Sequence, residues 1–170
     1  EYAGGNSRWD LLDVTRFFYA LRPDGLNWPL REDGMSSFKL ENLAKANDCF
    51  EGEAHEALSD VRSLINLARK LKSLQPRLWD YALNLRDKAF VANVLTLQRH
   101  QCILHISGQF SAAKACSALM LPIMLHPVIK NRTIAVALAP EALQLLEFNT
   151  QQISSNIFTK SSELPEGEVR

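Results

Sequence analysis

An excess of charge of either sign is missing from this sequence: Lys plus Arg and Asp plus Glu stand at 19 each in 170 residues. That argues against a polycationic tail or a uniformly basic face, the usual footprint of a nucleic-acid binder. Any contact with a polyanion then comes from a local basic track or from a part of the protein outside these residues. Cysteine is sparse too. Cys49, Cys102 and Cys116 are odd in number, widely spaced and set among apolar residues. They argue against a disulfide framework or a zinc site and predict reduced, buried thiols in a cytoplasmic protein. No run approaches the roughly 20 apolar residues of a membrane span, and the opening residues carry no signal-peptide pattern. The longest apolar stretch, Ala118 to Leu125, predicts a buried strand. No internal repeat is evident.

What is present is ordinary for a globular protein, with 46% hydrophobic and 22% charged residues. The length allows one large domain or two small ones. The chain opens on Glu1 and stops at Val169-Arg170 in a turn-like stretch, so it reads as an internal fragment.

Asp13 is placed to cap a helix from Val14 to Leu21, which Arg22-Pro23-Asp24-Gly25 ends. A loop runs on to Ser36, and Ser37 is placed to cap a helix from Phe38 to Asn47. The longest helix is expected from Glu56 to Leu74, terminated by Pro76. Ala57, Val61, Leu64, Ala68 and Leu71 recur on it at three- and four-residue steps as the buried stripe. Two more helices are expected over Arg77–Arg86 and Phe90–Arg99. Near His100 the pattern changes to strands, at Cys102–Ile106, Leu119–Leu125 and Thr133–Leu138, before a short helix from Glu141 to Leu146 and a polar, Ser-rich stretch. The switch predicts two domains, residues 1–98 and 99–170.

The chemistry concentrates in His55-Glu56-Ala57-Leu58-Ser59-Asp60. On a helical wheel Asp60 falls between Leu67 on one side and Leu64 and Leu71 on the other, at the edge of the expected stripe. A carboxylate there is costly unless paired or bound to a metal. His55 lies about 140° away on the same wheel, so the two converge only if His55 sits on the loop before the helix. A plain structural reading is also open, with His55 a surface loop residue and Asp60 a partly buried acid paired with a Lys or Arg.

The segment matches His-x-Ala-x-x-Asp, the third motif of the DEDDh exonucleases. Its surroundings resemble bacterial exonuclease I in order and spacing: Asn6 to Val14, Leu21 to Pro29, Ser37 to Asn47, Gln75 to Tyr81 and His105-Ile106-Ser107-Gly108. The resemblance thins after about Ala112, and Ala113, Cys116 and Leu119 stand where larger or more polar residues are expected. It implies an α/β to α+β fold: the C-terminal half of a ribonuclease H-like exonuclease domain, then a partial SH3-like β domain. It implies a 3′→5′ single-stranded DNA exonuclease releasing nucleoside monophosphates, with a role in DNA repair and recombination.

By the same resemblance Asp60 is a metal ligand and His55 the general base, and the cofactor is a pair of Mg²⁺ ions, with Mn²⁺ a substitute. Two such ions neutralise charge on the phosphate and activate a water, and a histidine takes the proton. The family's Asp-x-Glu motif occurs nowhere in this sequence. Its second-motif Asp belongs upstream of Glu1, so the chain alone is expected to be inactive. Arg16 and Arg22 match basic positions implied to meet single-stranded DNA or the acidic tail of single-stranded DNA-binding protein. Tyr81 matches an aromatic near the DNA path. Trp9, Trp28 and Trp79 are expected in the core, and His100, His105 and His126 form no metal set. Two other functions stay open: a non-catalytic single-strand or protein interaction module on the same fold, and a DEDDh nuclease acting on RNA ends.

Overall fold

The structure is a computed structural model that describes residues 7–52, 56–159 and 163. Six helices, labelled α1 to α6, are α1 (Leu11–Leu21), α2 (Leu40–Ala46), α3 (Ala57–Leu74), α4 (Pro76–Asn84), α5 (Lys88–Val94) and α6 (Thr150–Phe158). Three strands, β1 (Ile103–Ile106), β2 (Ser117–Leu125) and β3 (Thr133–Ala137), form one sheet in the order β1-β2-β3. The described residues divide into two compact units. One runs to Val94 and includes His105–Ser117; the other comprises Leu95–Leu104 and the chain from Ala118.

In the first unit α3 packs on α1, α2 and α4. The core is built from Val14 and Phe18 of α1, Leu43 and Ala44 of α2, Leu67 and Leu71 of α3, and Ala82 of α4, with Leu26 and Cys49. Trp9 and Trp79 meet edge to face at 4.9 Å, and Trp9 Nε1 donates to the Ala82 carbonyl at 3.2 Å. Trp28 packs beside Tyr19 and Phe38. All three tryptophans lie against the core, as expected.

Helix starts moved for physical reasons. α1 begins at Leu11 because Asp10, not Asp13, is the cap: its carboxylate accepts from Leu12 N at 2.9 Å. Asp13 falls in the first turn and pairs with Arg16 instead. Ser37 does not cap α2 in the ordinary way. Its hydroxyl accepts from Lys39 N at 3.4 Å and from Asn42 Nδ2 at 2.9 Å, and the helix starts only at Leu40. Pro76 begins α4 at a position where its missing N–H costs nothing.

The buried side of α3 shares Leu71 with the expected stripe but otherwise differs from it. Ser59, Ser63, Leu67 and Leu71 are buried, whereas Val61 and Leu64 are 53% and 42% exposed. Small hydroxyl side chains occupy the first two turns of the buried side because another segment lies against them there.

In the second unit β2 and β3 pair antiparallel, with Met120 opposite Ala137 and Leu125 opposite Thr133. Ile123 is an extra residue between Pro122 and Met124, so the strand bulges beside a proline that has no N–H for the ladder. The strand expected to be buried is only partly so, since Ile123, Met124 and Leu125 are exposed. The last polar stretch forms α6, closed by a capping box between Asn149 and Gln152. Cys102 is exposed, unlike Cys49 and Cys116, which corrects the expectation of three buried thiols.

Candidate active site

His55 lies outside the described residues, as do Glu53 and Ala54. Its neighbours on both sides are described. α3 starts at Ala57 with Glu56 in the N-cap position, where no side chain caps the helix. Asp60 sits in the first turn with its N–H donated to the Glu56 carbonyl at 3.0 Å, and its side chain is exposed rather than at the edge of a buried stripe. A carboxylate there faces the positive end of the helix dipole and is open to a partner from solvent.

Upstream of these residues the chain is tied to α3 at Glu51. The Ser59 hydroxyl donates to the Glu51 carbonyl, and the Glu51 N–H donates to Ser63 Oγ at 3.2 Å. The Glu51 carboxylate receives Arg62 Nη1 and Asn66 Nδ2, each at 3.3 Å. Gly52 follows with φ of +90°, and a β-carbon on it would stand 2.9 Å from Ser59 Oγ. The two serines were not among the residues expected to matter. Their four-residue spacing on the helix was the available signal.

Among the described residues, no three His, Cys, Asp or Glu side chains come together as a cation site. Asp60 offers one carboxylate, which does not fit a two-metal clamp by itself.

The remaining candidates differ in their freedom. Arg16 is engaged within the protein: its guanidinium pairs with Asp13 at 2.8 Å and lies 5.9 Å from the centre of the Phe38 ring, with its side chain 20% exposed. Arg22 is exposed at the C-terminal end of α1, with one guanidinium nitrogen donating to the Leu21 carbonyl at 2.6 Å. Tyr81 is 42% exposed, stacked on Phe17 at 6.1 Å and edge-on to Phe90 at 5.6 Å. Its ring is thus supported by two other aromatics while the side chain stays accessible.

Helices packed around α3, followed in sequence by a small sheet, define a mixed helix-and-sheet protein whose second part is SH3-like: residues 86–170 match the Exonuclease I SH3-like domain. The chain belongs to the exonuclease I family. It is 40% identical over 159 residues to exodeoxyribonuclease I of Escherichia coli K12, covering 94% of this chain and 34% of that protein. Its structure is similar to E. coli exonuclease I in complex with a dA16 oligonucleotide, with a TM-score of 0.92 and 38% identity over 98% of this chain and 36% of that one. It is also similar to an ExoI/SSB-Ct complex, with a TM-score of 0.88 and 38% identity over 96% of this chain and 35% of that one. The chain therefore spans about a third of the length of the relatives it matches. No helix among the described residues is long and apolar enough to cross a membrane.

Proposed function

We propose that this chain forms part of a metal-dependent 3′→5′ exonuclease of single-stranded DNA, acting in DNA repair in the cytoplasm and releasing nucleoside monophosphates. The observation that carries the reading is Asp60, exposed in the first turn of α3 and five residues after His55, in a chain matched over 98% of its length to an oligonucleotide-bound exonuclease I. In this reading His55 takes a proton from the attacking water, and the surface near Arg22 and Tyr81 holds the strand through phosphate contact and base stacking. Asp60 contributes one carboxylate to a Mg²⁺ or Mn²⁺ site completed by ligands that the described residues do not include. Bound divalent metal supplies charge neutralisation at the phosphate. The acidic C-terminal tail of single-stranded DNA-binding protein is the proposed protein partner, supported by the likeness to the ExoI/SSB-Ct complex.

The test uses the whole protein that contains this sequence. His55→Ala and Asp60→Asn should each lower turnover on a 3′-labelled single strand by roughly two orders of magnitude or more. Strand binding in Ca²⁺ should weaken far less. Near wild-type turnover by the Asp60 variant would sink the assignment, and equal turnover on RNA ends would redirect it to RNA. A second reading, a non-catalytic module that binds single strands or a partner protein, is favoured by one observation: the described residues bring no three ligating side chains together. Tight strand binding without turnover in the whole protein would select it.

A further inference from the structure

From Lys88 to Pro140 the sequence contains no Asp and no Glu, while Lys88, Arg99, Lys114, Lys130 and Arg132 fall inside that span. The whole chain balances at 19 charges of each sign, so its neutrality is a sum over unlike parts. A long stretch without a carboxylate suits a uniformly negative partner, which any acid along its path would repel. A protein partner of mixed charge makes no such demand.

Within that span the turn between β2 and β3 is held by its own residues. The His126 N–H donates to the Arg132 carbonyl at 2.8 Å. The His126 Nδ1 accepts from the N–H groups of Val128 at 3.1 Å and Ile129 at 2.9 Å. Asn131 turns the chain back at a φ of +63°, a conformation that Asn adopts more readily than most side chains. These bonds order the backbone and leave the side chains outside: Val128 is 82% exposed and Ile129 41%. Lys130 and Arg132 follow, both exposed and neither with an ion pair or a side-chain hydrogen bond among the described residues. A single exposed aliphatic residue is ordinary surface. Here two adjacent ones stand at the tip of an ordered turn and are followed by two free cations.

We propose that this turn is a contact site for single-stranded DNA, with Val128 and Ile129 against base faces and Lys130 and Arg132 on phosphates. An unpaired strand supplies both halves of the match, since every nucleotide carries a negative phosphate and a base face that no partner strand covers. Aliphatic side chains meet bases in this way where proteins set them against base steps. Because His126 already orders the turn, binding has little loop entropy to overcome. The identity of the ligand rests on the exonuclease reading, whereas the contact itself is one of binding and takes no part in hydrolysis.

The experiment measures binding of a fluorescent oligo-dT to the whole protein in Ca²⁺ over a range of salt, and kcat on the same strand in Mg²⁺. Lys130→Ala combined with Arg132→Ala should raise Kd roughly tenfold at low salt and flatten the slope of log affinity against log salt by about 1.4, two phosphate contacts at about 0.7 each. Val128→Ser combined with Ile129→Ser should raise Kd roughly three- to tenfold with the slope unchanged, because contact with a base releases no counterion. In both pairs kcat at saturating strand should stay within about twofold of wild type. All four side chains are exposed, so neither pair opens a core, and equal melting temperatures check this. A wild-type Kd for the oligonucleotide in either pair would overturn the proposal. If the same variants instead lost affinity for phosphatidylglycerol vesicles or for an acidic peptide while binding the strand normally, the turn would belong to a membrane or a protein partner, and the proposal would fail. Those results leave the exonuclease reading intact, because it is tested separately by turnover of the His55 and Asp60 variants.

Discussion

Gly108 and Arg16 compete for one small volume: a β-carbon on Gly108 would stand 2.7 Å from the Cζ of Arg16. The guanidinium rests against the glycine backbone while pairing with Asp13 at 2.8 Å. A β-carbon there would push away the far end of a flexible side chain, not a backbone. Gly108→Ala should therefore cost only about 1 kcal/mol, as should Arg16→Ala, which loses packing more than charge. Combined, they should cost no more than the worse of the two, because both break one contact. Denaturant unfolding of the three variants checks this, and simple additivity would deny the contact.

Arg22 and Arg16 should separate in binding. Each phosphate contact to a single strand contributes about 0.7 to the slope of log affinity against log salt. Arg22→Ala should flatten the slope by about that amount, or weaken binding of an acidic peptide ending like the single-stranded DNA-binding protein tail. Arg16→Ala should leave the slope unchanged, since its guanidinium is already paired with Asp13 and only 20% of the side chain is exposed. Titrations at several salt concentrations decide it. An unchanged slope and unchanged peptide affinity for Arg22→Ala would make that residue ordinary solvated surface.

The helical half was legible because caps, prolines and three- and four-residue steps are local signals. What was not legible depended on partners far along the chain. Asp10 and Asp13 are both plausible caps by composition, and only the reach of Asp10 to Leu12 N decides between them. The serines of α3 look like surface until Glu51 is seen lying on them. Leu64 and Val61 have the spacing of a core stripe and are exposed nonetheless, because periodicity gives a helix its apolar sides without saying which one is covered. The bulge at Ile123 follows from Pro122, and the capping box of Asn149 and Gln152 was readable by spacing, although the stretch around it is polar enough to suggest a loop. Of the candidate site, the motif spacing was visible in sequence, and the contacts of Glu51 with Ser59 and Ser63 were not.

The thiols should divide by burial. Burial pushes the Cys49 thiol up, with Lys70 pulling it partly back and Asp48 adding to the rise. Burial likewise raises Cys116, and the nearby Arg16 charge opposes it. Cys102 is exposed. At pH 8 iodoacetamide should label Cys102 first, with Cys49 and Cys116 reacting only as the protein opens. A raised folded-state pKa means that the native protein holds the proton longer than the unfolded chain does. The stabilisation from Cys49 and Cys116 is therefore complete below the ordinary thiol range, near pH 8.5, and is lost as pH climbs through the raised values. Arg16→Ala should move the Cys116 loss to still higher pH. Mass spectrometry of timed labelling, with unfolding measured between about pH 7 and 10, reads both effects. Labelling of all three thiols at one rate would contradict the buried placement.

The 170-residue chain by itself should fold at least in its helical unit and show no nuclease activity. Phe18, Leu43, Leu67 and Leu71 are each at most 2% exposed, so that unit has a closed core of its own. The opposite side of α3 is different: Leu58, Val61, Leu64 and Ile65 are 54%, 53%, 42% and 41% exposed, and Leu12 of α1 is 39% exposed. Apolar surface on that scale favours self-association, which light scattering should detect as a concentration-dependent rise in mass. The expected inactivity rests on the Asp-x-Glu motif, which these residues do not contain. Asp60 is a single carboxylate, and no three ligating side chains converge among the described residues, so a divalent ion bound there would be held mostly by water. The measurement is release of the 3′-terminal nucleotide from a labelled single strand in Mg²⁺ or Mn²⁺, with a His55→Ala chain as control. Release that disappears in the control would mean that these 170 residues hold a complete site, contrary to the single-carboxylate geometry of α3.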